Sequence, residues 1–111
     1  MEQLDRPILT FEAQVERDDG SIVPFVLRVG YPDFDDHGGH FCLVDCRFVE
    51  GNPIKMYGAD EEQACELAIR FVRQRVYDMG ARVVDRDGSE ISIPEIEFPG
   101  SRRSTGKSHP D

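Results

Sequence analysis

The sequence lacks the features that would place it in most functional classes. It has no run of about 18 apolar residues, so no membrane-spanning helix is expected. Its opening stretch, Met1 to Arg6, has neither the basic region nor the apolar core of a secretion signal, so the cytoplasm is the expected location. No Cys-x-x-Cys pair occurs among its 3 cysteines, Cys42, Cys46 and Cys65. Cys42 and Cys46 fall four residues apart in one expected strand, about 13 Å, too far to bridge each other. All three are read as buried, reduced thiols. No Gly-x-Ser-x-Gly elbow, His-Glu-x-x-His helix or phosphate-cradling glycine loop is present. Gly106-Lys107-Ser108 matches the end of a phosphate-binding loop, but Ser101 stands where its first glycine is required. No cofactor is expected.

What is present is a small, acidic chain. At 111 residues it fits one domain. A hydrophobic content of 39% and a charged content of 32% suit an ordered globule. The net charge of −9 is uneven. The final eleven residues hold Arg102, Arg103 and Lys107 against Asp111, which is +2 and leaves −11 on residues 1–100. A body so charged repels phosphate backbones, which argues against nucleic acid; it is compatible with a basic protein partner, and the plain reading is solubility alone. Residues 1–99 are expected to form the domain. Residues 100–111 hold no large apolar side chain and are expected to be a disordered basic tail.

Periodicity sets the fold class. Leu9, Phe11, Ala13 and Val15 alternate with Thr10, Glu12, Gln14 and Glu16, the mark of a strand with one wet face. Asp18-Asp19-Gly20 turns the chain into a second strand, Ser21 to Val29, where Pro24 implies an edge or a bulge. Gly30 to Gly39 is too polar and too broken for a regular element. His40 to Glu50 and Ile54 to Tyr57 make a second hairpin around Gly51-Asn52-Pro53. A helix is expected from about Asp60 to Met79. Asp60 is its N-cap, Gln63 completes a capping box, and Gly80 is the terminating residue. Its apolar stripe is Ala64, Leu67, Ala68, Phe71, Val72, Val76 and Met79. Ala81 to Asp85 and Glu90 to Ile93 suggest a short closing hairpin. The expected architecture is α+β: an antiparallel sheet of about four strands, one long helix packed on it, and a C-terminal hairpin.

Two groups of side chains could carry chemistry. Asp33, Asp35, Asp36, His37 and His40 form the one dense cluster of metal-ligand types. An EF-hand pattern fails there, because the twelfth position from Asp33 is Val44 instead of Glu. The bland reading is a solvated acidic loop. The second group, Arg70, Arg73 and Tyr77, lies on the polar side of the helix, and Asp45 sits beside Arg47 on the face of its strand. These four are candidate protein-binding residues, with a structural ladder pair as the plain reading of Asp45 and Arg47.

From Gly39 to Tyr77 the chain resembles an uncharacterised group of short bacterial domains, in which hairpins lead to a Gln-Ala-x-x-Leu-Ala helix. The matching residues are Phe41-Cys42, Gly58-Ala59-Asp60, Gln63-Ala64 and Leu67-Ala68-Ile69. The resemblance implies a fold and brings no activity with it. In size and charge the chain is also similar to small acidic immunity proteins that neutralise bacterial toxins. The leading expectation is therefore a non-catalytic, protein-binding domain with an acidic surface. The alternatives are a metal-dependent enzyme or metal-binding protein using the Asp33–His40 loop, and a structural homo-oligomer such as a homodimer.

Overall fold

A computed structural model describes residues 5–97. The expected basic tail lies outside the described residues. The alternating segments become β1 (Pro7–Glu16) and β2 (Ile22–Gly30), joined by the Asp18-Asp19-Gly20 turn. Gly20 takes φ +90°, and Asp19 accepts from the backbone N–H of Ser21 at 2.9 Å. β3 (Asp33–Asp35), β4 (Gly39–Asp45), β5 (Ile54–Gly58), helix α1 (Glu61–Asp78) and β6 (Arg82–Val84) follow. The result is α+β, a 6-stranded antiparallel sheet with one helix among the described residues.

The sheet runs β3-β4-β2-β1-β6, with β5 also paired to β4. Register explains why six strands occupy fewer positions. Val29 pairs with Val44 and Asp33 with Phe41, so the chain advances four residues on one side against three on the other. β3 is thus β2 continued past a one-residue bulge. Pro32 lies in the break and has no N–H to give to a ladder. The segment expected to be irregular, Gly30 to Gly39, therefore contains a strand and a tight three-residue turn. Asp35 faces Gly39 across that turn, and Gly39 adopts φ +96°, which favours glycine.

Three other expectations are corrected. β2 is an interior strand, paired with β1 along its length and with β4 at Arg28 and Val29. The half that contains Pro24 has no ladder partner on the β4 side among the described residues, so the proline signal was local. β4 ends at Asp45, not Glu50, because Val49 and Glu50 both donate to the Cys46 carbonyl at 2.9 Å and curl the chain away. The closing hairpin shrinks to one bridge, Val84 with Glu90, and β6 instead joins the sheet beside β1.

The helix termini follow the local chemistry. Asp60 accepts from Gln63 N–H at 2.8 Å, and the Gln63 side chain accepts from Ala59 N–H at 2.6 Å. At the far end Gly80 has φ +69°, its N–H meets the Tyr77 carbonyl, and Ala81 N–H reaches Val76. That is a Schellman ending. The buried stripe is rotated from expectation: Cys65 and Ile69 join Ala64, Ala68, Val72 and Val76, while Met79 is exposed, Leu67 is only half-buried, and Phe71 is half-buried at the flank of the core. One face of the sheet meets this stripe. Val15, Phe25, Leu27, Val29, Cys42, Val44 and Val83 share the core with it. Gly58 lets the two layers touch, since a Cβ there would lie 2.4 Å from the Ala64 nitrogen.

Candidate interaction surface

Strand alternation sends the remaining side chains to the opposite face. β1 contributes Thr10, Glu12, Gln14 and Glu16, and β2 contributes Ile22, Pro24, Val26 and Arg28 directly across from them. β4 adds Phe41, Leu43 and Asp45, and β5 adds Lys55 and Tyr57. The helix packs on the other side, so no described element covers this face.

Where β4 curls away after Asp45, a groove of about 500 Å³ opens beside the half of β2 that β4 does not pair. Pro24 and Val26 lie on one side of it, with Thr10 and Glu12 beyond. Arg28, Asp45, Arg47 and Phe48 complete the lining. Val26 is 44% exposed and Ile22, further along the same strand, 49%. Asp45, expected to pair with its neighbour Arg47, instead accepts from Arg28 across the ladder at 2.6 Å. Arg47 has left the strand because β4 ends two residues earlier. Glu16 pairs with Arg82 near the β6 edge. This salt bridge, with Glu90 adding to it, holds the Arg82 guanidinium in its charged form. The groove thus offers apolar floor, an aromatic wall and charges of both signs on a bare sheet.

The acidic loop has a different job. One Asp35 oxygen accepts the backbone N–H groups of His37 and Gly38, each at 2.8 Å. The other accepts Tyr57 Oη at 2.8 Å and Lys55 Nζ at 3.0 Å. The Gly38 N–H, then Tyr57, then Lys55 hold the carboxyl well below the usual carboxylate range. Asp35 in turn raises the Tyr57 and Lys55 values, keeping the phenol protonated and the ammonium charged. Tyr57 fits because residue 38 is glycine: a Cβ there would meet its ring at 2.2 Å. Phe41 is buried beneath, 5.7 Å from the Tyr57 ring and 4.6 Å from Lys55 Nζ.

This geometry separates the candidate metal ligands. Asp33 and Asp35 face the bare side with Phe41. His40 alternates to the helix side, where its ring meets Phe34 at 5.1 Å and its buried Nδ1 has no hydrogen-bond partner. Asp36 and His37 are exposed at the turn tip. Among the described residues no three His, Cys, Asp or Glu side chains gather to hold a metal.

The helix candidates also divide. Arg73 donates to the Ile93 carbonyl at 2.6 Å and to Glu95 at 3.1 Å, clamping the extended segment after β6. Tyr77 is 77% exposed beside a smaller hollow of about 220 Å³ that Arg73 also lines. Arg70 is exposed, and Asp45 belongs to the other face of the sheet. The groove residues Glu12, Val26, Arg28 and Phe48 were not singled out from sequence. Pro24 was the available signal, since it marked the stretch of β2 that has no second neighbour among the described residues.

The chain matches no family model, no curated protein and no solved structure. No helix among the described residues is long and apolar enough to cross a membrane.

Proposed function

We propose that this chain is a non-catalytic protein-binding domain whose bare sheet face receives a basic partner, in the manner of a small toxin-immunity protein. The observation that carries the reading is the groove beside β2, open and partly apolar, on a body of net charge −11 over residues 1–100. Apolar floor supplies buried area, and the acidic field speeds and orients the approach of a cationic surface. The test is capture from the native cell at low and at high salt, with wild type beside Glu12→Lys/Val26→Ser. A basic protein retained at low salt by wild type and lost by the variant supports the proposal. A salt-insensitive capture, or one the variant leaves unchanged, contradicts it.

The half of β2 that has no partner on the β4 side among the described residues favours a second reading, self-association through that edge. Light scattering across a concentration series decides it: a constant monomer mass removes this reading and leaves the first standing.

A further inference from the structure

Cys42 lies on β4 and Cys65 is the fifth residue of α1, and nothing in their spacing links them. The fold brings their Sγ atoms to 3.4 Å. Both side chains are buried, at 0% and 2% exposure, and among the described residues no carboxylate or imidazole joins them to make a metal site. The third thiol, Cys46, is buried as well. We propose that Cys42 and Cys65 are a redox pair that closes to a disulfide, fastening the helix to β4, with a small dialkyl disulfide such as oxidised glutathione as the oxidant.

The sulfurs need to approach by a further 1.4 Å or so to reach bonding distance, about 2.05 Å. The chemistry proceeds by two exchanges. Cys65, as thiolate, attacks one sulfur of oxidised glutathione and releases one glutathione thiolate. Cys42 then gives up its proton and attacks the Cys65 sulfur of the mixed disulfide, which releases the second glutathione. The two protons pass to the leaving thiolates. The cysteine pair loses two electrons and the glutathione disulfide gains them. The order follows from the contact itself. Hydrogen bonding from Cys42 favours the Cys65 thiolate, while the same contact and burial push the Cys42 thiol up. Cys46 has no thiol neighbour of this kind, and burial pushes it up to about 11. Burial also sets the timing. Small disulfides reach the pair during folding or when the first turns of α1 open, not in the closed domain.

The test is refolding of the full chain from urea in a buffer of oxidised and reduced glutathione, followed by peptide mapping without reduction. The expected product has lost two hydrogens, links Cys42 to Cys65 and leaves Cys46 free. Cys46→Ser forms the same link. Closing the loop between residues 42 and 65 is expected to raise the melting temperature by roughly 5–15 °C over the reduced chain, reversed by dithiothreitol. A map that joins Cys46, a stalled mixed disulfide, or three free thiols would overturn the proposal. So would an oxidised chain that melts below the reduced one, since the contact would then be packing alone.

Discussion

On the helix side of the sheet, Val15, Phe25, Leu27, Val29, Cys42 and Val44 are at most 3% exposed, whereas Ile22 and Val26, on the opposite face, are nearly half exposed. The same strands build both faces, so backbone pairing does not distinguish them. The difference lies in what each side chain meets. Leu27 meets the helix layer, and its burial is part of the free energy of folding. Val26, its immediate neighbour, meets solvent, and its apolar surface remains available to something else. Folding stability thus rests on one set of alternate residues of the strand, and the proposed recognition on the other.

Substitutions can break that comparison in order of size. Leu27→Ala is expected to cost about 3 kcal/mol or more in urea unfolding, while Val26→Ala stays within about 0.5 kcal/mol. Equal costs would mean that the bare face is structural. Gly58→Ala forces a methyl against the Ala64 backbone and is expected to cost about 1–3 kcal/mol, with a loss of helix signal by circular dichroism. A neutral result would place the helix further from β5 than described.

Asp35→Ala sharpens the comparison at the turn. It is expected to lower the melting temperature by a few degrees at neutral pH. The sign follows from a folded-state value below the ordinary 3.8. The stabilisation is complete above the unfolded value and is lost as pH falls through it toward the folded one. Wild type and variant should therefore converge in acid, and parallel curves from pH 7 down to about 2 would remove the carboxylate from the account. Arg28→Ala has the smallest expected effect on stability, under about 1 kcal/mol, because Arg28 is 43% exposed. Its influence on partner capture should be larger, since it leaves Asp45 unpaired in the groove.

The helix was legible almost to the residue because Asp60, Gln63 and Gly80 act within one turn of their own positions. The first hairpin was legible for the same reason: Asp19 and Gly20 specify the turn that sets its register. Long-range pairing was not. Arg28 finds Asp45 through the β2–β4 register, and β6 finds β1 across more than half the chain. The acidic loop read as a ligand cluster because composition does not report alternation. The pleat sends Asp35 to one face and His40 to the other. The groove was least legible, since it exists because β4 curls at Cys46 and leaves Pro24 and Val26, paired with β1, without a ladder partner on the β4 side among the described residues.

The central claim is tested most directly by capture at low salt with three chains side by side: wild type, Glu12→Lys/Val26→Ser on the bare face, and Arg70→Ala/Tyr77→Ala on the helix. The account predicts one basic protein held equally by wild type and the helix variant and lost by the bare-face variant, with all three folded by circular dichroism. Retention by the bare-face variant together with loss by the helix variant would contradict it and move the binding surface to the other side of the molecule.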